Sequence, residues 1–493
     1  MSTALHFVAF DLGAESGRAM VGHFDGARIA LSDVHRFLTG PTVLPDGLHW
    51  DVLRFWNEIK HSLGLVAAQF GRDLAGIGLD TWGVDSALLD RDGALIGNPY
   101  HYRDSRTDGM YAEAFRRVSR EEIFEATGIQ FMEINTLYQL LSMVVRRSPL
   151  LDAASTLLMI PDLFNYWLTG RKVCEFSEAT TSQCYDPRAG DWAWPLLERL
   201  GIPTRIFTEV VPTGTTLGPL AAQVADEVGL GRVPVIAPAC HDTGSAVAAV
   251  PAAGPGFAWI SSGTWSIMGS EELRPVISAQ SLAYNFTNEG GVGNTFRFSR
   301  NIMGLWLVQE CRRTWARQGE ERSYAELTEM AAAAPPFLAV VDPDCPEFVK
   351  PGDMPARIRA YCQATGQRVP ETPGQVVRCA LEGLALKYRW VLERLEEMLG
   401  HRLDPLHIVG GGTQNRLLSQ FTADCIGRQV ITGPVEATAT GNVLVQAMAQ
   451  GHLGSLAEAR EVVRRSYELS TFEPRERAGW DDAYGRLLEL MAR

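Results

Sequence analysis

Two hairpin patterns, one at the start of the chain and one just past its middle, constrain the fold most. In the first, an apolar run over residues 7–12 meets a small-residue turn and then a second apolar run that ends near Gly22. The second pattern repeats this order over residues 257–269, with a turn made of Ser, Gly and Thr. Apolar runs joined by such turns predict strand–turn–strand units. The chain is therefore expected to consist of two halves, each opened by a β-hairpin.

Short apolar runs and segments with helical spacing alternate along the rest of the chain. This alternation predicts an α/β architecture. Strands are expected at residues 77–80, 233–237 and 406–409, and helices at 55–70, 116–127, 323–333, 376–398 and 414–426. The small, turn-rich segment 251–256 indicates a domain boundary, which predicts domains over residues 1–248 and 249–493.

Composition excludes several classes of protein. Apolar residues make up 46% and charged residues 21% of the 493, as in ordinary globular proteins and unlike disordered chains. The net charge of −13, with no basic cluster, argues against nucleic acid and anionic membranes as partners. The first ten residues hold no Lys or Arg and no later run reaches about 20 uninterrupted apolar residues, so neither a signal peptide nor a membrane span is expected.

The eight cysteines show no C-x-x-C pair, which argues against a zinc site and against a disulfide scaffold. A reducing cytoplasm is the expected compartment. A disulfide between Cys362 and Cys379 remains an open alternative at this point.

Lysine is scarce, and its positions exclude one route to nucleotide binding. The four lysines are Lys60, Lys172, Lys350 and Lys387, and none follows a glycine. A P-loop needs Gly-Lys-Ser/Thr to place an ammonium against the phosphates. If the chain binds ATP, it does so with another fold.

The first hairpin turn, residues 11–18, has the composition of a phosphate-binding turn. Backbone N–H groups in a tight glycine turn form a concavity for anions, and an acid at the strand end such as Asp11 can hold Mg²⁺ beside them. The alternative is an ordinary hairpin turn. The similar turn at residues 261–265 favours the phosphate interpretation.

A third turn, Gly410 to Gly412, follows the expected strand 406–409. It is a poor match to the dinucleotide fingerprint, because Asn415 stands where the last glycine belongs. A glycine turn here would still let the backbone approach an adenine and ribose. The alternative is a strand-to-helix turn without a ligand.

His241, Asp242 and Thr243 stand where a strand ends and a small-residue helix begins. A carboxylate there can act as a general base towards a hydroxyl, and the alternative is that Asp242 only caps the helix. His241 is expected to pack or to form hydrogen bonds, because no second histidine stands at metal-ligand spacing.

Residues 80–85 and 102–106 combine Trp, Asp and Arg at expected strand ends. Exposed side chains of these types suit a polyhydroxylated ligand, since charged groups bind hydroxyls and an aromatic face covers the C–H side. The alternative is a turn or a surface ion pair.

Taken together, these motifs resemble the FGGY sugar kinases of the actin/hexokinase-like superfamily, over essentially the full length. The segments that carry the resemblance are residues 80–85, 102–107, 128–131, 135–140, 241–243, 261–266, 287–291 and 301–306. The resemblance implies a two-domain actin/hexokinase/Hsp70-like (ribonuclease H-like) α/β fold with a central cleft. It also implies that residues 1–248 bind the sugar and carry the base, and that residues 249–493 bind the nucleotide.

The resemblance further implies roles for individual residues. Asp242 would be the proton acceptor and Asp11 would lie nearest to Mg²⁺. The residues expected to contact the sugar are Gly83, His241, Asp242, Thr243 and Asn301, and those expected to contact ATP are Ala14, Glu15, Ser16, Gly17, Arg18, Thr264, Gln309 and Gly411. Glu15 departs from the family, where a small hydroxyl residue is common, and its carboxylate would repel phosphate unless it turns outward or helps to hold the metal.

The narrower resemblance is to family members that act on L-rhamnulose. It implies ATP-dependent phosphorylation of the 1-hydroxyl in L-rhamnose breakdown, with ATP, Mg²⁺ and a small sugar as the only partners of a monomer or small homo-oligomer. Two alternatives stay open: a kinase for another ketose or polyol, such as fuculose, ribulose or xylulose, and a regulatory protein that binds nucleotide without catalysis.

Overall fold

The computed structural model describes residues 4–492, which divide into two compact units. The first unit comprises the residues up to Ala253 together with Glu271–Phe298 and Ala437–Ser466. The second unit comprises Gly254–Ser270, Ser299–Glu436 and the residues from Tyr467 onward. Each unit combines helices with a sheet, which confirms the α/β fold class.

The first unit is built on a six-stranded sheet. Its strands lie in the order Thr215–Pro219, Pro234–Ala237, Gly76–Thr81, Leu5–Leu12, Ser16–Phe24 and Ile29–Leu38. The three strands from Leu5 to Leu38 form an antiparallel meander, whereas Leu5–Leu12, Gly76–Thr81 and Pro234–Ala237 pair in parallel. Parallel strands end at the same edge of a sheet, so Asp11, Asp80 and the residues after Ala237 lie at one edge.

Further helices and short strands complete the first unit. The helices of the first unit are Val52–Phe70, Met110–Phe115, Arg120–Thr127, Thr136–Val145, Pro149–Ala153, Ile160–Thr169, Phe176–Thr181, Trp194–Leu200, Ala222–Val228, Asp242–Ala248, Ala279–Ala283, Ala437–Ala449 and Leu456–Ser466. The short strands are Thr42–Leu44, Gly47–His49, Ser86–Leu89, Thr156–Met159, Cys174–Glu175, Tyr185–Asp186, Asp191–Trp192, Val210–Val211 and Thr287–Gly290.

The helix Val52–Phe70 shows how the sequence builds this core. The side chain of Asp51 accepts a hydrogen bond from the Arg54 N–H and caps the helix start. Apolar side chains recur at helical spacing, and Phe55, Ile59 and Leu63 are fully buried. They belong to the same core cluster as Val8 on the sheet.

The second unit has its own mixed sheet. The strand order is Phe296–Met303, Trp265–Glu272, Ala258–Ser262, Leu406–Val409, Val430–Thr432 and Ser470–Phe472. The first strand belongs to this unit from Ser299 onward, and the second belongs to it up to Ser270. Ala258–Ser262, Leu406–Val409 and Val430–Thr432 run parallel to one another. The helices are Trp306–Arg317, Tyr324–Ala333, Met354–Ala364, Pro373–Leu399, Arg416–Ile426 and Trp480–Met491.

The division into units differs from the predicted cut between residues 248 and 249. The helix Ala437–Ala449 lies late in the sequence but packs with the first unit. Its polar side chains explain why: Asn442 donates to Oδ2 of Asp80 at 2.6 Å, and Gln446 donates to the carbonyl of Val8 at 2.9 Å. Such long-range pairing of buried polar groups leaves no signal in the composition near residue 250.

The predicted helix over residues 116–127 is wrong in its first part. The structure has two helices there, Met110–Phe115 and Arg120–Thr127. Ser119 starts the second helix through a capping box with Glu122, in which each side chain bonds the other residue's backbone N–H. The helix expected at 414–426 likewise begins only at Arg416, capped by Asn415.

Cys362 and Cys379 are both free, buried thiols, so the disulfide that the sequence left open as an alternative is not present.

Candidate functional site

The first hairpin forms a tight turn between Leu12 and Ser16. The Gly13 N–H donates to the Ser16 carbonyl at 3.0 Å, and the Thr39 hydroxyl donates to the Gly13 carbonyl at 2.5 Å. Glu15 and Ser16 are exposed at the tip, whereas Gly17 is buried. The Thr39 hydroxyl thus holds the turn at Gly13, and Glu15 is exposed to solvent.

Asp11 and Arg18, on opposite strands of this hairpin, form an ion pair. The Asp11 carboxylate accepts from Nε of Arg18 at 2.9 Å and from Nη2 at 2.5 Å. Asp11 is buried and Arg18 is partly exposed, which leaves the guanidinium accessible from solvent. The residue expected near the metal and the arginine expected near phosphate therefore lie side by side.

Asp80 occupies the strand position next to Asp11 in the parallel register and is fully buried. Asn442 donates to its Oδ2, but its Oδ1 has no hydrogen-bond partner within residues 4–492. Burial raises the pKa of Asp80 well above its usual value, and the carboxylates of Asp11 and Asp242 add to the rise. Three carboxylates, those of Asp11, Asp80 and Asp242, thus interact at one edge of the first sheet.

Asp242 is the first residue of the helix Asp242–Ala248, and the N-cap position belongs to His241. The alternative that Asp242 serves as the N-cap is therefore wrong. Its Oδ1 accepts from the Thr243 hydroxyl at 3.0 Å, and its side chain is 30% exposed, so a small ligand can reach it. Burial raises the pKa of Asp242; His241 opposes this rise and Asp11 reinforces it. A carboxylate with a raised pKa is a stronger proton acceptor, as a general base requires.

Buried acids on the neighbouring segment fix the backbone before Asp242. Oε2 of Glu175 accepts from the Cys240 N–H at 3.1 Å and from the Ser177 N–H at 3.0 Å, and the Ser177 hydroxyl accepts from the His241 N–H at 3.0 Å. Burial raises the pKa of Glu175 to about 7. Sequence reasoning missed these supports, because an acid that bonds to a distant backbone has no local signature.

Gly83 lies against His241 and leaves room for its ring. A Cβ placed on Gly83 would stand 3.4 Å from Nε2 of His241 and 3.1 Å from the Thr181 hydroxyl. A Cβ at this position would therefore touch the imidazole and crowd the Thr181 hydroxyl. The structure thus brings Gly83, His241, Asp242 and Thr243 together in the first unit.

The expected exposed sugar-binding side chains at residues 80–85 and 102–106 are instead mostly interior. Asp85 is fully buried, and its carboxylate accepts from the indole N–H groups of Trp50 at 2.5 Å and Trp82 at 2.9 Å. Arg106 is buried as well and donates to Gln139. These side chains form hydrogen bonds with one another, because a polar group that is buried away from water needs a hydrogen-bond partner. They form the interior of the first unit, and the prediction of an exposed set is wrong.

The second hairpin is held by two other segments of its own unit. The Leu305 N–H donates to the Gly263 carbonyl, and the Trp306 N–H donates to the Thr264 carbonyl, both at 3.1 Å. A Cβ on Gly412 would stand 2.6 Å from Cβ of Ser262, so the glycine turn packs directly on the hairpin strand. The hairpin that carries Thr264 and the glycine turn that contains Gly412 therefore lie next to each other in the second unit.

The remaining expected nucleotide residues also lie in the second unit. Gly411 has open space where a Cβ would stand, with no atom within 4 Å. Gln309 is on the helix that begins at Trp306, and its Oε1 is buried with no hydrogen-bond partner within the described residues. Asn301 is half-buried on the strand Phe296–Met303. An open glycine and an unpartnered amide oxygen are features that a ligand would complete.

Models of the two halves of one protein family match nearly the whole chain. The N-terminal domain model of the FGGY family of carbohydrate kinases matches residues 6–249, and the C-terminal domain model matches residues 258–450. The chain belongs to this family. Both hairpins and all the residues of the site lie within the matched ranges.

Individual relatives of this FGGY kinase match along their full length. A protein of Bacteroides thetaiotaomicron named rhamnulokinase is 44% identical over 97% of this chain and 98% of its own. A rhamnulokinase of Oceanobacillus iheyensis is 39% identical over 94% of this chain and 97% of its own. These relatives cover both units and both hairpins.

Solved structures share the fold at lower identity. A ligand-bound xylulose kinase of Lactobacillus acidophilus superimposes with a TM-score of 0.81 at 14% identity, covering 99% of this chain and 98% of its own. The Plasmodium falciparum glycerol kinase with ADP gives a TM-score of 0.78 at 15% identity, with 99% and 98% covered. At these identities the likeness concerns the fold alone.

Within residues 4–492, no group of three or more His, Cys, Asp or Glu side chains is arranged to hold a metal ion. In the same range, no helix combines the length and the apolar character needed to cross a membrane.

Proposed function

We propose that this FGGY kinase transfers the γ-phosphoryl group of ATP to the 1-hydroxyl of L-rhamnulose, yielding L-rhamnulose 1-phosphate and ADP in L-rhamnose breakdown. The near full-length similarity to proteins named rhamnulokinase supports the choice of sugar. The single observation that carries the chemistry is the Asp242 carboxyl, partly exposed, with a pKa raised by burial.

In this proposal, the sugar binds to Gly83, His241, Asp242, Thr243 and Asn301. Of these, the first four are gathered in the first unit and Asn301 belongs to the second. ATP binds through the turn from Ala14 to Arg18 and through Thr264, Gln309 and Gly411. The roles of residues 1–248 in sugar binding and of residues 249–493 in nucleotide binding are part of the same proposal.

The proton and the phosphoryl group move in opposite directions. The Asp242 carboxylate takes the proton of the 1-hydroxyl as the sugar oxygen bonds to the γ-phosphorus, and the bond from that phosphorus to the β,γ-bridging oxygen breaks. ADP leaves with the electron pair, and Asp242 returns its proton to solvent. Arg18 and the backbone N–H groups of the turns offset the charge that develops on the phosphoryl oxygens.

The residues present suit Mg²⁺, which the family's chemistry calls for. Mg²⁺ takes oxygen ligands and is usually bound by one or two carboxylates together with waters and substrate phosphates. Asp11 and Oδ1 of Asp80, which has no hydrogen-bond partner within residues 4–492, supply such oxygens at one sheet edge. When bound, Mg²⁺ neutralises phosphate charge.

The Asp242→Asn variant tests the general base. It keeps the size of the side chain and removes the proton acceptor, so kcat should fall about a thousandfold while ATP affinity stays within about twofold. ADP release measures the first quantity and calorimetric titration the second. Asp226→Asn, an exposed position in the same unit, is the matched control and should behave like the parent. Near-normal turnover of Asp242→Asn would remove the proposed base.

A panel of sugars tests the substrate. ADP release is compared with L-rhamnulose, fuculose, ribulose and xylulose, and with ATP alone as the blank. A clear preference for L-rhamnulose is expected. Preference for another ketose would overturn the sugar but keep the kinase, whereas ADP release with none of them would favour a nucleotide-binding protein without catalysis.

A further inference from the structure

A buried ion pair lies behind the imidazole of His241. Glu289 is on the strand Thr287–Gly290, and Arg297 lies eight residues further on, in the strand Phe296–Met303; both residues belong to the first unit. The Arg297 side chain is 0% exposed and that of Glu289 is 6% exposed, with Nη2 of the arginine 3.1 Å from Oε2 of the glutamate. Burying such a pair is costly, so it contributes little net stability to the fold.

Arg297 reaches His241 directly. Its Nε donates to the Gly290 carbonyl at 2.9 Å, which fixes the plane of the guanidinium. Its Nη2 lies 3.0 Å from Nδ1 of His241. A guanidinium has only N–H donors, so Nδ1 must be the acceptor in this bond and the ring proton must be on Nε2.

Glu289 also faces Nδ1, but at a longer distance. Its Oε2 is 3.3 Å from Nδ1 of His241, and the same oxygen faces the Arg297 Nη2. Burial raises the pKa of Glu289, but the Arg297 guanidinium is the largest of the influences that hold that pKa below its usual value. Glu289 therefore stays a carboxylate and neutralises the buried guanidinium.

The opposite nitrogen of the ring faces the reacting groups. Nε2 of His241 is 3.5 Å from Oδ1 of Asp242, and a Cβ on Gly83 would stand 3.4 Å from the same nitrogen. The backbone of His241 is held by the Ser177 hydroxyl. The ring thus has Nδ1 bonded to Arg297 and Nε2 directed towards Asp242.

We propose that Arg297 and Glu289 are positioning residues that fix the Nε2–H tautomer of His241, so that its ring offers a hydrogen-bond donor to Asp242 and to a sugar oxygen. The lone pair of Nδ1 is taken by Arg297, so the imidazole has no free acceptor for the substrate proton. The proton then has one destination, the Asp242 carboxylate. The tautomer stands on the contacts alone, whereas its role towards the sugar rests on the proposed function.

The tautomer can be observed in the unliganded parent protein. ¹⁵N-histidine labelling with two-dimensional NMR distinguishes a protonated from an unprotonated ring nitrogen, and loss of one signal set in His241→Gln assigns His241 among the ten histidines. Nε2 protonated and Nδ1 unprotonated is the expected result. The reverse pattern would overturn the proposal, and neither outcome depends on which sugar is the substrate.

Variants of Arg297 test the consequence for turnover. In Arg297→Met, Glu289 remains the polar partner of Nδ1, so the proton should move to Nδ1 and kcat should fall at least about tenfold with KM for ATP unchanged. Arg297→Lys keeps a donor and should recover part of both the tautomer and kcat. The sugar used is whichever one the panel selects.

Arg460→Met is the matched control. Arg460 is a buried arginine of the same unit, paired with Glu271 at 2.7 Å, and its loss should lower thermal stability as Arg297→Met does. His241 should keep its signals and kcat should be unchanged in this control. If Arg460→Met changes the tautomer equally, or if Arg297→Met leaves the His241 signals as in the parent, Arg297 has no positioning role.

Discussion

The two hairpins share a local design but differ in what surrounds them. The first carries the Asp11–Arg18 ion pair, and its strand edge holds two further acids, Asp80 and Asp242. The second has only Ser, Gly, Thr and Trp over residues 261–266, and the backbone N–H groups of Leu305 and Trp306 donate to its turn. The first hairpin therefore places charges near Asp242, whereas the turn of the second hairpin carries no charged residue.

A turn that recurs in both halves of the chain therefore need not have the same role in each half. Charges that are close to a reacting group change its energetics, because Coulomb interactions are strong in a buried setting. An uncharged turn fixed by backbone bonds can hold a ligand but does not shift the pKa of a distant carboxyl. The comparison predicts that charge changes in the first hairpin affect turnover, whereas steric changes in the second affect stability and affinity.

Among changes within the two hairpins, Asp11→Asn should give the largest effect. It removes the carboxylate that pairs with Arg18 and that is proposed to lie nearest to Mg²⁺, so kcat should fall on the order of a hundredfold. Steady-state ADP release at saturating Mg²⁺ measures this. Asp33→Asn, on the same sheet and exposed enough to leave the site intact, is the control. If kcat of the Asp11→Asn variant stays within about threefold of the parent value, the proposed distinction between the two hairpins is wrong.

Gly412→Ala should cost stability in the second unit. The added Cβ would stand 2.6 Å from the Cβ of Ser262, and that atom cannot move unless the strand moves. The free energy of unfolding should therefore fall by about 1–3 kcal/mol. In Gly17→Ala of the first hairpin the added atom meets the far end of the Phe37 ring, which can tilt away, so the loss should be smaller. Denaturant unfolding compares the two.

Gly411→Ala is the matched control for that pair. No atom lies within 4 Å of the position its Cβ would take, so its stability should equal that of the parent. If Gly411→Ala destabilises as much as Gly412→Ala, close packing on Ser262 is not what the glycine turn requires.

Thr264→Ala should have a smaller effect and one confined to the nucleotide. Loss of one hydroxyl that is proposed to bond phosphate should raise KM for ATP about fivefold to tenfold, or roughly 1 kcal/mol. Thr328→Ala removes a hydroxyl that bonds to its own helix in the same unit and should leave KM unchanged. A change in KM for the sugar instead would contradict the assignment of Thr264.

The pH profile should show the smallest displacement. Asp242 must be ionised to accept a proton, so kcat/KM for the sugar falls as pH drops through its pKa. Because that pKa is raised by burial, the acid limb should lie above the range of an ordinary aspartate, and Thr264→Ala should not move it. An acid limb at or below the ordinary aspartate range would contradict the proposed environment of Asp242.

Much of the fold could be predicted from local pattern. Both hairpins and the strand Leu406–Val409 are present as expected, and the helices Val52–Phe70 and Pro373–Leu399 extend the predicted 55–70 and 376–398 by a few residues. These elements have strong apolar periodicity and clear end signals, such as the Thr372–Gln375 capping box. The helix predicted over 116–127 begins only at Arg120, because Ser119 caps it there while the apolar spacing continues back to Val118.

The candidate site was predictable where the chemistry lies in one short motif. His241, Asp242 and Thr243 are consecutive, and their place at the start of a helix follows from the sequence around them. Their supports were not predictable: Glu175, Ser177, Glu289 and Arg297 come from distant segments and have no spacing that relates them to His241. The prediction for residues 80–85 and 102–106 was wrong for the opposite reason, since polar residues that bond to one another inside a protein look like exposed ones in a sequence.

The sequence by itself determined the two hairpins, the α/β alternation, the absence of a P-loop lysine and the position of the acid before a small-residue helix. These features depend on neighbours along the chain, where turn chemistry and apolar period act directly. Only the tertiary structure decided that Ala437–Ala449 joins the first unit, that Asp85 is an interior acceptor and that Arg297 faces Nδ1 of His241. The reason is physical: a buried polar group must find its partner wherever the fold brings one, and that partner can lie hundreds of residues away.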